Sequence, residues 1–163
     1  MSGSVGWISL VAVATAVDGL LAGASLDASI KQLPARHRIG VRAFSAYSRA
    51  ADLGTGLFWY AALGISGALL TVAAAVWALA PGLAVRQSLP VLVAGGLAIA
   101  HSLTTARAAP INWSQRAAEG EPALASVFQR FERWQTVRVT LQLATFLAMI
   151  WALVINAGRA LTG

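Results

Sequence analysis

The sequence predicts an all-α integral membrane protein: an antiparallel four-helix bundle with a short cytoplasmic interfacial helix before the last span. Three observations predict it. Of the 163 residues 58% are hydrophobic and 15 more are glycine, while only 11% are charged. A soluble domain is ~45–50% apolar, so this composition cannot furnish a water-facing surface. Mean hydropathy is +0.69. Apolar runs of spanning length recur four times, and ~20 helical residues at ~1.5 Å rise each cross a ~30 Å hydrocarbon core. The chain is read as one four-span membrane domain, residues 1–163.

The first span is residues 5–30. No Lys or Arg precedes it, its apolar stretch is long and Asp18 interrupts it, so it reads as a span and not as a cleavable signal peptide. The second, residues 51–80, stops at Pro81-Gly82; the third, 89–109, is closed by Pro110; the fourth, 134–157, is closed by Gly158. Helices are expected despite the Val, Gly and Thr content, because in lipid every backbone polar group must be satisfied internally. Before the last span, "EPALASVFQRFER" spaces Leu124, Val127, Phe128 and Phe131 helically, with Pro122 in the first turn. That pattern predicts the interfacial helix.

The net charge of +6 resides in the flanks of the spans. Lys31, Arg36, Arg38, Arg42 and Arg49 lie between spans one and two, and Arg107, Arg116, Arg130 and Arg133 at or between spans three and four. The opposite side holds Arg86 and Arg159, and Arg138 lies inside the fourth span. This asymmetry predicts a multi-pass protein of the cell membrane with its long basic loops cytoplasmic and both termini outside. It explains the basicity without a nucleic-acid partner. Zero cysteines exclude a disulfide scaffold, thiolate-ligated haem or iron–sulfur clusters and a thiol nucleophile.

Burying an ionisable group in a bilayer costs at least ~2.5–3.5 kcal/mol, so each one needs a partner or a purpose. Asp18 lies near mid-membrane on a face with Ala22, Ser25 and Ser29, and is either a structural hydrogen-bonding group or part of a site. Asp27, near the cytoplasmic end, either reaches headgroup water or faces the interior. In span two Asp52, Gly56, Trp59, Tyr60, Leu63 and Gly67 form a stripe that suits close packing or a flat-walled pocket. His101, with Thr104 and Thr105, lies ~13 Å from the cytoplasmic end of span three and suits hydrogen bonding or proton acceptance. In span four Trp134, Arg138, Leu141 and Thr145 share a face beside Gln135 and Gln142. A guanidinium at that depth must be paired, and Asp27 and Asp52 are at compatible depth; the other option is an anionic or enolate oxygen. Asp27, Asp52, Arg138, Gln142, His101 and Asp18 thus descend from the cytoplasmic mouth toward mid-bilayer, and a bundle can point several into one cavity.

The segments "ARAAPINWSQR" and "FERWQTVRVTLQLATF", with a Pro-Ile-Asn closing the third span and Trp134 and Arg138 four apart opening the fourth, resemble the anthrone-oxygenase-like family of small four-helix membrane proteins. The stretch "GLLAGASLDASIKQLPAR" is similar too. The resemblance implies a cofactor-free oxygenase that converts a polyketide anthrone to an anthraquinone. Its matching positions are Asn112, Trp134 and Arg138, with Pro110 as scaffold; Trp113 has no family counterpart.

That chemistry suits the residues found independently. An anthrone C–H is acidic because its loss gives an aromatic phenolate, which reacts directly with O2. The protein must supply a base and oxyanion donors. His101 or Asp18 is the expected base, Arg138 and Asn112 are the donors, and Trp59, Tyr60 and Trp134 are flat walls for a planar substrate, with Gln142, Asp27 and Asp52 completing the binding set. No step requires a metal or a cofactor, and an iron facial triad would want a second histidine, whereas His37 lies in the basic loop. The expected partners are a lipophilic small molecule and the lipid bilayer. The alternative is a non-catalytic membrane module, either a small-molecule-binding subunit or a self-associating, transporter-like protein that forms homo-oligomers.

Overall fold

The computed structural model describes residues 2–80 and 83–160, almost all of them helical and none in a strand. Helix α1 (Ser2–Asp27) passes through a π-helical turn (Ala28–Gln32) into α2 (Leu33–Ile39), and α3 (Val41–Ala50) passes through a second π-helical turn (Ala51–Thr55) into α4 (Gly56–Trp77). Helix α5 (Val85–Trp113) ends in a 3₁₀ turn (Ser114–Arg116), and α6 (Gly120–Ala160) completes the chain's described helices. Four helical stretches, Gly6–Ile39, Val41–Trp77, Val85–Arg116 and Gly120–Asn156, are long and apolar enough to cross a bilayer.

Several boundaries differ from the sequence expectation. The basic stretch between the first two spans is helical, broken only at Gly40, whose φ of 84° lies in the left-handed region that glycine adopts without steric cost. Pro34 sits at the start of α2, directly after the π-helical turn. Pro110 does not close the third span, for α5 continues through it to Trp113. Beyond the proline, Gln115 Nε2 donates to Asn112 Oδ1 at 2.8 Å and both side chains are buried, which anchors the last turn against the proline's helix-breaking tendency. Pro81-Gly82 lies outside the described residues, and α6 runs past Gly158.

A separate interfacial helix is not found. Residues 121–133 form the first turns of the 41-residue α6. No glycine or proline interrupts that helix between Pro122 and Gly158, so nothing in the sequence bends the chain there. The apolar face read from the spacing is real but covered by protein: Leu124 and Phe128 are buried against Leu33 and Phe44, with Val41, Ala118 and Phe131 around them. Arg36 leans across the same junction, donating to Leu33 O at 2.9 Å and pairing with Glu132 at 2.5 Å.

Helix α1 packs on α4 and α6, and α5 packs on the same two helices. Away from the arginine-rich end, Trp7, Val11, Ala14, Ala74, Ala75, Val91, Ala94, Ala148, Met149 and Ala152 form the main core. Small residues let the backbones approach: a Cβ added to Gly95 would lie 2.7 Å from the Cβ of Ala75, and one added to Gly19 would lie 2.8 Å from Phe146 Cε2. The outer faces carry Leu20, Phe58, Leu69, Leu103, Leu147 and Val154, each more than three-fifths exposed. An apolar exterior of that extent calls for lipid or protein cover.

Candidate functional site

Toward the arginine-rich end a cavity of about 590 Å³ is lined by residues of α4, α5 and α6. Both π-helical turns contribute to it: Ala28 and Gln32 from the first, Asp52 and Leu53 from the second. Such turns place one extra residue in the helix and re-aim the side chains beyond it, and they recur at functional sites. Phe44, Phe128 and Phe131 roof the cavity, and Phe128 packs edge-on against Phe44 at a centroid distance of 4.9 Å. Behind the roof lies a buried polar cluster: Ser45 Oγ donates to Gln115 Oε1 at 3.1 Å, Gln115 donates to Asn112, and Ser48 donates to Asp52 Oδ2 at 2.8 Å.

Five of the ten residues expected in the site line this cavity, namely Asp52, Tyr60, His101, Asn112 and Arg138, and Thr105 and Gln135 line it beside them. The others lie elsewhere. Asp27 is engaged by Lys31 at 2.5 Å and by Gln32 at 2.7 Å. Trp59 is 61% exposed on the outer face of α4, and Trp134 is not part of the lining. Of the expected flat walls only Tyr60 lines the cavity, where the phenylalanine roof joins it, with Trp113 at the rim. Asp18 and Gln142 sit behind His101, around a void of about 10 Å³ shared by all three, the size of ~1 water molecule.

Asp18 is held from α4: Thr71 Oγ1 donates to its Oδ2 at 2.7 Å, and a Cβ on Gly67 would lie 2.8 Å from its Oδ1. The glycine is therefore the space in which the carboxyl sits. Gly67→Ala is expected to destabilise the protein by about 1–3 kcal/mol by overpacking. With Asp18→Ala the same change is expected to become neutral or to stabilise by up to ~1 kcal/mol, alanine being the better helix former. Thermal unfolding of the four variants in detergent measures the cycle, and equal costs in both backgrounds would refute the contact.

Arg138 makes none of the predicted ion pairs. Its Nη1 donates to Gln135 Oε1 at 2.9 Å, its buried Nε has no partner, and no carboxylate pairs with it among the described residues. Gln135 is in turn anchored to α1, donating through Nε2 to Ser25 O and Ser29 Oγ, each at 3.3 Å. Its amide orientation is set by these partners, since the oxygen meets a cation and the nitrogen two acceptors. A guanidinium fixed in this way beside an apolar space lacks a counter-charge, and a bound anion would supply one. By helical spacing Gln135 merely lies beside the polar face; its bridge to Ser25 and Ser29 depends on how the helices pack, which spacing alone does not give.

His101 Nε2 lies 2.7 Å from Gln142 Nε2 and 3.1 Å from Thr105 Oγ1. With the amide donating, Nε2 is the acceptor and the ring is neutral with its proton on Nδ1. Gln142 Oε1 is buried and unpartnered. A half-turn of that amide would offer its oxygen to an Nε2–H instead, so the pair accommodates either location of the imidazole proton. Among the described residues no three His, Asp or Glu side chains converge on a metal-binding arrangement. Compared with protein-family models, with curated proteins and with solved structures, the chain has no match.

Proposed function

We propose that the chain is a four-span protein of the cell membrane, an antiparallel bundle with its arginine-rich end in the cytoplasm and both termini outside. It takes a lipophilic planar molecule with an acidic oxygen, of the anthrone or hydroquinone class, into the cavity and oxygenates it without a cofactor. The observation that carries this reading is the unpaired Arg138 guanidinium facing a largely apolar cavity lined also by His101. At about 590 Å³ the space lies within the ~300–1,000 Å³ of small-molecule sites. The resemblance of the Pro110–Asn112 and Trp134–Arg138 segments to anthrone oxygenases supplies the substrate class.

In this reading His101 Nε2 accepts the proton from the acidic C–H, and the two electrons of that bond pass into the ring system as an anthranolate. Arg138 and the Nδ2 of Asn112, whose Oδ1 is engaged by Gln115, stabilise its oxygen. The carbanion carbon adds O2 to give a peroxide anion, which takes the proton back from His101 Nε2 to become a hydroperoxide, and this loses water to leave a carbonyl. Overall a CH2 group and O2 become C=O and H2O. Asp18, bonded to Thr71 and outside the cavity lining, takes no step in this reading.

The test uses the protein in lipid nanodiscs with 1,8-dihydroxyanthrone, following quinone absorbance and O2 uptake. The wild type is expected to exceed the spontaneous rate, and His101→Ala is expected to lose about 10²–10⁴-fold of that excess while still binding the anthrone. A wild type at the spontaneous rate would overturn the catalytic reading. A second reading is then favoured by the occupancy of His101 Nε2, which is already engaged by Gln142 and Thr105: a non-catalytic binding module, for which anthrone affinity without turnover is the expected result.

A further inference from the structure

The cavity has a second edge that the proposed chemistry does not use. On α4 the lining residues Leu57, Ala61, Ile65 and Leu69 are exposed on the protein's outside and recur every fourth position. On α5 the exposed lining residues are Ser102, Ala106, Ala109 and Trp113. Residues that line a cavity and are exposed form its rim. These two rows are therefore the facing lips of a slit ~16–18 Å long at ~1.5 Å per residue. Ala61, Ser102, Ala106 and Ala109 keep parts of these lips low, and a Cβ added to Gly64 beside them would meet nothing within 4 Å.

The slit is bounded at both ends. At one, Ala75 and Gly95 bring α4 and α5 into close contact, with an added Cβ only 2.7 Å from its neighbour. At the other, Arg116 Nη2 donates to Leu53 O at 3.2 Å, tying the end of the third span to the π-helical turn before α4. Toward the arginine-rich end the lining includes the Phe44–Phe128 pair, with the buried Ser45–Gln115–Asn112 cluster beside it. Outside the lips the surface is that of the apolar exterior, with Phe58, Leu103 and Ile65 each more than three-fifths exposed. Arg107, exposed beside Ala106, marks the level that headgroups reach, because a charged side chain on a span extends to the interface.

We infer that the slit between α4 and α5 is a lateral portal through which a lipid-dissolved ligand passes sideways from the bilayer into the cavity. It admits molecules that partition into acyl chains, apolar body first along the Ala61–Ala106 level, and it excludes water-soluble analogues of the same head chemistry. This inference rests on the cavity being the proposed ligand site, but its geometry is open to a test that needs no ligand.

The chain has no cysteine, so single cysteines report unambiguously. Ala68→Cys, on the cavity lining, is spin-labelled in vesicles, with Ile65→Cys on the lip as a second position, Leu103→Cys as the lipid-facing reference and Arg42→Cys as the water-facing one. The cavity labels are expected to collide with lipid-soluble O2 about as often as the Leu103 label and to be shielded from a water-soluble nickel chelate. Access by the chelate, as at Arg42, would show a water-facing mouth and overturn the portal; shielding of the lining label from both reagents would show a closed slit and overturn it equally. In a second arm the paired lip substitutions Ala61→Trp and Ala106→Trp are loaded with 1,8-dihydroxyanthrone from vesicles. Loading is expected to slow about tenfold or more with equilibrium affinity little changed, since a gate alters rates of access more than the bound state. Unchanged loading would overturn the portal, whereas absence of binding in the wild type, with the label pattern as expected, would count against the ligand reading alone.

Discussion

Arg138→Met is expected to abolish measurable binding of an acidic planar ligand while leaving the empty protein as stable as before, or more so. The two halves of this result come from one fact: the guanidinium has a buried, unpartnered Nε and no carboxylate partner among the described residues. A buried charge that pairs only with ligand contributes about 2–5 kcal/mol to the complex, a ~30- to 5,000-fold loss on removal. In the empty protein the same charge is a liability of at least ~2.5–3.5 kcal/mol within a bilayer, only partly offset by the hydrogen bond to Gln135. Arg138→Lys should lose most of the affinity too, because a point ammonium cannot present the planar fork that Gln135 orients. Isothermal titration in nanodiscs and thermal unfolding of the ligand-free protein check the two halves. Unfolding of Arg138→Met with loss of fold would show that the arginine is structural.

Phe128→Ala is expected to be the most destabilising single truncation at the arginine-rich end, by about 3–5 kcal/mol. Phe128 is fully buried, its ring stands at 74° to that of Phe44, and it touches Leu33 and Leu124 in the same cluster. Because it also roofs the cavity, its removal joins the new void to an existing one, so neighbours have no reason to collapse into it and the full cavity cost is kept. Phe128→Leu, which preserves most of the volume, should cost much less. Chemical denaturation in detergent gives the comparison. A loss below about 1 kcal/mol for the alanine variant would mean the roof is not packed as described.

The long apolar helices were legible because hydropathy over some twenty residues is a strong signal that no local feature reverses. What was not legible lay between them. Residues 31–50 carry so many charges that they read as a loop, yet Arg36 is buried and ion-paired with Glu132, and Leu33 and Phe44 are core. Those contacts exist only after α6 has packed against the same segment. Pro110 read as a stop because its ring opposes a helix, yet α5 continues through it to Trp113, with the buried Asn112–Gln115 pair just beyond. Within the candidate site, depth along each helix pointed Asp27, Asp52, Arg138, Gln142, His101 and Asp18 toward one cavity; Asp52, His101 and Arg138 line it, with Tyr60 and Asn112, while Asp27, Gln142 and Asp18 do not. The stripe on the second span failed at Trp59 for a definable reason. Trp59 and Tyr60 are successive residues ~100° apart on the helix, so a stripe drawn through both is wide; Trp59 at its edge lies outside while Tyr60 lines the cavity. The chain also kinks at Gly54, whose φ of -97° and ψ of -120° are not helical, which breaks the phase between Asp52 and α4.

Helix α6 has 41 residues, a rod ~60 Å long against a hydrocarbon slab of ~30 Å. It carries Phe128 and Arg138 alike, the ceiling and the charge set into the wall, on one uninterrupted scaffold. Their separation is thereby fixed by helical rise alone. Thinning or thickening of the surrounding lipid can tilt the rod or bury more of its shaft, but it cannot change the ruler on which the chamber is built.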